Sequence, residues 1–298
     1  MNANAPRDDM IYDTLIGPFA EFDFMRRALV GAVALALSGA PLGVFLILRR
    51  MALTGDAMAH AILPGAALGY LVAGLSLPAM TLGGLAAGFT VALLAGVVAR
   101  FTALREDASL AGFYLLSLAL GVVIVSVRGS NVDLLHVLFG SVLALDDATL
   151  LLLATIATIT LVVLAIGYRA LALETLDPGF LASVSGAGAP TQLVFLALVV
   201  LNLVGGFHAL GTLLAVGLMM LPAAAGRLWS ADITVMTLVA VTIGLFSSYV
   251  GLLLSYYYGL PAGPAIILVA GVVHLVSLVF GRAGGLIRHV SIGRHLEA

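Results

Sequence analysis

The chain has 298 residues, of which 62% are hydrophobic and only 9% charged, with a formal net charge of −2. Several apolar runs reach the length of about 20 residues that a helix needs to cross a bilayer, which excludes a water-soluble globular chain and identifies a polytopic membrane protein. The absence of cysteine excludes a disulfide, a thiolate metal site and a cysteine nucleophile.

The opening residues 1–24, MNANAPRDDMIYDTLIGPFAEFDF, are polar and acidic. They lack a basic n-region, an apolar core and a small-residue cleavage site, so no cleavable signal peptide is expected and the first span does the targeting. Apolar spans follow at 25–48, 55–75, 79–99, 108–127, 148–170, 190–207, 209–227, 231–255 and 262–281. The expected fold is all-α, with eight or nine transmembrane helices. The count stays open because the sixth and seventh runs are short, are joined only by Phe207-His208-Ala209, and fit a re-entrant or broken pair as well as two spans.

Two interruptions divide the transmembrane domain, which extends from 25 to 281. Residues 128–147, RGSNVDLLHVLFGSVLALDD, are too poor in apolar residues to span and predict an extramembrane loop with a short interfacial helix. Residues 171–189, LALETLDPGFLASVSGAGA, turn polar and Pro/Gly-punctuated and predict a second extramembrane segment.

All 13 basic residues are arginine, and short cytoplasmic loops accumulate them. An outward N-terminus places nine of the arginines inside, among them Arg49, Arg50, Arg169 and Arg227. It also places the 171–189 segment and the 282–298 tail in the cytoplasm. Arg26 and Arg27 at the outer end of the first span oppose the assignment.

The stretch TGDAMAHAILPG, 54–65, carries an aspartate and a histidine between greasy runs. Four residues apart on a helix, Asp56 and His60 project from one face. A carboxylate facing lipid costs several kcal/mol, so this face turns toward protein or a water-filled path. Pro64 lacks the N–H that would bond the His60 carbonyl, which leaves an oxygen free beside the imidazole. A carboxylate and an imidazole are ligands for a divalent first-row ion, yet two side chains fall short of the four that zinc takes. Two copies meeting across a two-fold axis would supply four. The competing reading makes Asp56 a helix cap and His60 a hydrogen-bonded interior histidine.

The surroundings favour the ligand reading. RRMALTGDAMAHAILPGAALG resembles the signature of the permease subunits of zinc and manganese ABC importers, the ABC-3 family, in which Gly-Asp, Ser/Ala-His and Leu-Pro-Gly follow a basic pair. LHVLFGSVLAL at 135–145, ETLDPGFLASVSG at 174–186 and GTLLAVGLMMLPAAAGRL at 211–228 match in the same order, with SYYYGLPAGPAIIL at 255–268 as a weaker match. Many relatives carry Ser where this chain has Ala59, which removes a hydroxyl but no ligand.

The resemblance implies a type II-like ABC importer permease that works as a homodimer in the bacterial plasma (inner) membrane. It would receive Zn2+, Mn2+ or iron from an extracytoplasmic metal-binding protein, with Asp56 and His60 as metal ligands. It would be driven by a cytoplasmic ABC ATPase that docks on a coupling segment at 174–188, where Asp177, Pro178, Phe180, Leu181 and Ser185 match. The chain contains no lysine, so it lacks the GxxxxGK[ST] phosphate loop and is not itself expected to be an enzyme. No resident cofactor and no nucleic-acid partner are expected.

Asp-Pro starts the coupling helix, Phe180 and Leu181 give it an apolar anchor, and Gly186 stops it. His208, at the outward turn before Gly211, is a secondary metal candidate and equally an interfacial histidine. His136 reads as solvent-facing and His274 as packed within the last span, and Met219 and Met220 beside Pro222 read as packing or as soft contacts along the path. The alternative function is a proton-coupled secondary carrier using Asp56 and His60 as a relay. An intramembrane metalloprotease lacks its HExxH pattern here.

Overall fold

Inside a bilayer every backbone polar group must find its partner within the protein, so long apolar runs fold as helices. The structure, a computed structural model, describes residues 12–74, 76–103, 106–127 and 142–287. Its elements are a short helix α1 (Gly17–Glu21), a long α2 (Asp23–Leu48), then α3 (Thr54–Ala61) and α4 (Leu63–Ala73), which together make one membrane-length stretch broken at Ile62. They continue through α5 (Leu77–Phe101), α6 (Glu106–Val127), α7 (Asp147–Leu176), the short α8 (Pro178–Val184), α9 (Gly188–Leu210), α10 (Thr212–Trp229), α11 (Ile233–Tyr258) and α12 (Ala262–Phe280). Among the described residues eight stretches are long and apolar enough to cross a membrane, and α6 adds a shorter apolar core, Ala108–Ile124. The expected eight or nine helices agree with this count.

α2 is the hub. It packs against α7, α9, α10 and α11, and it buries residues around its circumference, from Met25 and Ala32 to Phe45 and Leu46. A helix apolar on all sides belongs in such a position. At Gly43 its backbone passes so close to the Met219 carbonyl of α10 that a Cβ would collide with it. Gly65 and Gly83 bring α4 and α5 together in the same way, since a Cβ on either meets the other's carbonyl. Small residues at such crossings let membrane helices approach to backbone contact.

Long-range links identify the two ends of the bundle. At one end Arg27 pairs with Asp147 at 3.0 Å, and the Tyr257 hydroxyl donates to the Thr14 carbonyl at 2.7 Å. Phe19 of α1 stacks there on Tyr249 with ring centroids 5.2 Å apart. At the opposite end Arg49 Nε donates to Thr175 Oγ1 at 3.0 Å, and the Ala283 N–H donates to the Leu228 carbonyl at 2.8 Å. α8 is attached at this second end, directly after α7.

The structure decides one open alternative and moves one boundary. The sixth and seventh runs are full helices of 23 and 18 residues, α9 and α10, rather than a re-entrant pair. His208 does not end the first of them, because its Nδ1–H donates to the Val204 carbonyl at 2.9 Å within the same helix. The chain turns only at Gly211, where φ is 87°, a left-handed value that glycine adopts freely.

Next, α7 does not stop at 170 but runs to Leu176, taking Glu174 into its last turn. It ends where Pro178 forces the preceding Asp177 out of the helical region, at φ −147° and ψ 83°. Residues 128–141, most of the stretch in which a loop with an interfacial helix is expected, lie outside the described residues, and so does His136. What is described of that stretch is a 3-10 turn at Val142–Ala144 and the Asp146 cap, whose carboxylate accepts from the Thr149 N–H at 2.9 Å. Hydrogen bonding from the Thr149 side chain first, and from this N–H second, holds the Asp146 carboxyl below its ordinary range.

Candidate metal site and coupling segment

The end of α2 turns the chain back into the bundle. The Met51 N–H donates to the Leu46 carbonyl at 2.8 Å and the Arg50 N–H to the Ile47 carbonyl at 3.0 Å, the paired bonds of a Schellman cap. Arg50 occupies the left-handed position at φ 60°, where glycine is the usual residue. Met51 is then buried and α3 begins at Thr54, also buried. A Cβ on Gly55 would lie 2.9 Å from Met219 Cε and 3.5 Å from Met220 Cε. Asp56 therefore starts its turn opposite the middle of α10, inside the membrane-spanning part of the bundle.

Asp56 and His60 share one face, with His60 Nε2 3.7 Å from Asp56 Oδ1. That separation is too long for a hydrogen bond. The side chain of Asp56 is 65% exposed and that of His60 28%, whereas Ala57, Met58, Ala59 and Ala61 are buried. The His60 ring lies 6.5 Å from the Tyr114 ring at 29°, and its Nδ1 is buried without a hydrogen-bond partner.

The capping reading fails on this geometry. The N-cap of α3 is Leu53, with no side-chain cap bond, and Asp56 is the third helical residue. Among the described residues no three His, Cys, Asp or Glu side chains gather into a metal cluster. One copy thus offers two donor side chains on an open face.

The break after His60 is built by packing as well as by Pro64. Ile62 fits between α5 and α9, where a Cβ on Gly84 would lie 2.8 Å from Ile62 Cγ2 and 3.6 Å from Val204 Cγ2. Ser117 of α6 donates to the Ala61 carbonyl at 2.9 Å, satisfying the oxygen next to the one that Pro64 releases. Nothing in the α6 sequence singled out Ser117. An i,i+4 pattern sees one helix, and this bond spans 56 residues.

The remaining candidates are dispersed. His208 sits in the last turn of α9, edge-on to Phe207 at 5.1 Å, with Nε2 buried and lacking a hydrogen-bond partner. It is not brought onto the face of Asp56 and His60. His274 is within α12 with its Nδ1 buried and likewise unpartnered. Met219 is 1% exposed and packs on Gly39 and Gly55, so it is core, while Met220 is only partly buried.

α8 starts as its sequence predicts. Pro178 occupies its first position, and Asp177 Oδ1 accepts from the Phe180 N–H at 2.9 Å. It closes at Ser185, one residue before the expected Gly186 stop, with the Ser185 N–H donating to the Leu181 carbonyl at 2.9 Å. The two anchor residues part company, since Phe180 is 51% exposed and Leu181 6%. The outward apolar positions of α8 are instead Phe180 and Val184, one helical turn apart, with the exposed Leu176 ending α7 before the break at Asp177.

Known proteins resemble this arrangement along nearly its whole length. The manganese transport system membrane protein MntC of Halalkalibacterium halodurans is 30% identical over 280 residues, covering 93% of this chain and 94% of that one. Its Listeria monocytogenes counterpart, of the same name, is 31% identical over 268 residues, covering 90% and 94%. Among solved structures, PsaBC from Streptococcus pneumoniae in complex with Fab superimposes with a TM-score of 0.79 at 27% identity, covering 90% of this chain and 96% of that chain. Eight membrane-length helices together with these relatives make the protein a multi-pass protein of the bacterial plasma (inner) membrane. None of the relatives supports the secondary-carrier alternative. The family model described as ABC 3 transport family matches residues 21–281, and the chain belongs to that family.

Proposed function

We propose that this chain is the transmembrane permease subunit of an ATP-driven importer of a divalent transition metal, with manganese as the principal cargo. The observation that carries the proposal is the pairing of Asp56 with His60 on an open face midway through the bundle, in a chain whose relatives bear manganese-transport names. A carboxylate oxygen and an imidazole nitrogen suit Mn2+ and also Zn2+ or Fe2+, so cargo choice rests on geometry and supply rather than on donor type. The manganese-transport names of the relatives support manganese over zinc as the cargo.

A carboxylate 65% exposed in a membrane-spanning stretch needs a polar surrounding. A second copy related by a two-fold axis supplies one and doubles the donor set to two Asp and two His. ATP hydrolysis resides in a separate subunit, as the chain has no lysine for a phosphate loop. That subunit docks on α8 from the cytoplasm, and metal arrives from an extracytoplasmic binding protein at the other end of the bundle. Arg49 and Arg50 after α2 and Arg227 near the end of α10, all at the α8 end, agree with this orientation.

The test is uptake by the complex reconstituted with its ATPase in liposomes. ATP-dependent accumulation of Mn2+, lost in Asp56→Ala and His60→Ala, is the expected result. Uptake that needs no second subunit, or that survives both substitutions, would overturn the assignment.

A further inference from the structure

Arg49 reaches from the turn preceding α3 to both helices that flank α8. Its Nε donates to Thr175 Oγ1 at 3.0 Å, and its guanidinium carbon lies 4.6 Å above the Phe195 ring centroid. Thr175 stands in the last turn of α7, two residues before the Asp177 cap of α8, and Phe195 stands in the second turn of α9. Arg49 itself is the C-cap of α2, seven residues before Asp56. We infer that Arg49 is a positioning residue that transmits movement of the α8 region to the helix bearing Asp56 and His60.

Three features give this link its mechanical content. The connection is planar and two-sided, because a guanidinium donates in its plane while its face rests on the aromatic ring, so displacement of either α7 or α9 carries the arginine with it. The chain between Arg49 and α3 is short and shaped by the Schellman bonds at Arg50 and Met51, so it has little slack to absorb such movement. Phe195 is itself part of the packed core, 1% exposed and with the Phe45 ring 6.3 Å away. It forms one wall of an apolar cavity of about 290 Å³ between α7 and α9, lined also by Leu171, Ala187, Pro190, Val194 and Leu198. Close-packed cores transmit displacement.

The inference rests on the proposed importer function. The measurement is therefore Mn2+ taken up per ATP hydrolysed, by the complete complex with its ATPase in liposomes, alongside equilibrium Mn2+ binding to the same detergent-purified complex. In Arg49→Gln, Mn2+ binding should stay within about twofold while uptake per ATP drops at least about fivefold, the lower edge of typical coupling between sites. Thr175→Val should shift the ratio in the same direction, Thr175→Ser should restore it, and adding Thr175→Val to Arg49→Gln should cause no further loss. Should Arg49→Gln fail to assemble, the Thr175 pair alone decides. An unchanged ratio in Thr175→Val, or an equal fall in Thr175→Val and Thr175→Ser, overturns the inference. Absence of ATP-driven uptake in the wild-type complex would instead overturn the importer assignment, which separates the two.

Discussion

His60 Nε2 faces Asp56 Oδ1 across 3.7 Å, one helical turn apart and without a hydrogen bond between them. A catalytic or purely structural Asp–His pair closes to hydrogen-bond distance, whereas two ligands of a shared cation leave room for it. Asp56→Asn and His60→Gln should each weaken Mn2+ binding by more than about tenfold, because even loss of a residue that merely supports a ligand costs 10–100-fold. His208→Gln should stay within about twofold, as its Nδ1 is committed to Val204 and it lies on another helix. Equilibrium binding of radioactive manganese to the purified complex decides, and equal effects at all three positions would refute the assignment.

The unequal burial of Phe180 and Leu181 separates docking from folding on a single short helix. Phe180→Asp leaves the bundle intact and should abolish co-purification with the ATPase, because a charge enters the exposed apolar face that Phe180 and Val184 form on α8. Leu181→Ala truncates a side chain that is only 6% exposed and should lower stability by about 2–3 kcal/mol while the ATPase still binds. Pull-down with the ATPase and thermal unfolding in detergent give opposite rankings of the two variants. Matching rankings would mean that α8 is not the docking element.

Much of this was legible in the sequence because membrane helices depend on length and apolarity, both of which are one-dimensional. The placement of Asp56 and His60 on one face, the Asp177-Pro178 helix start and most span limits followed from local rules. What escaped depends on partners distant in the chain. His208 stays helical through its bond to Val204, and Leu181 is buried by packing that a seven-residue helix does not reveal. Ser117 against Ala61 and Arg49 against Thr175 join residues 56 and 126 positions apart, beyond any periodicity. Arg50 at φ 60° escaped for a different reason, since composition alone assigns that position to glycine.

Buried polar contact between α7 and α9 is concentrated at Asn202. Its Nδ2 donates to Thr160 Oγ1 at 2.7 Å and to the Leu198 carbonyl at 2.9 Å. Both Asn202 and Thr160 are buried, at 2% and 0% exposure. Thr160→Val keeps the shape and removes the interhelical acceptor, and should cost about 0.6–1.7 kcal/mol, the range measured for hydrogen bonds between membrane helices. Asn202→Leu, which removes both donors and leaves Thr160 a path to its own helix, should cost no more than that. Reversible unfolding in mixed micelles measures both, and a loss several times larger in Thr160→Val would point to a role outside packing.

Gly43 and Gly96 offer a test of how far the Asp56 face depends on helix approach. A Cβ at Gly96 meets nothing within 4 Å, so Gly96→Ala fits and should be neutral or stabilising by up to about 1 kcal/mol. A Cβ at Gly43 collides with the Met219 carbonyl, so Gly43→Ala must push α10 away from α2 at a cost of about 1–3 kcal/mol. Met219 and Met220 also form the surface against which Gly55 rests, one residue before Asp56. Displacing α10 should therefore loosen α3 as well, and Gly43→Ala should weaken Mn2+ binding although it touches neither Asp56 nor His60. A variant that loses stability yet binds Mn2+ like the wild type would show that α3 holds its ligands without the support of α10.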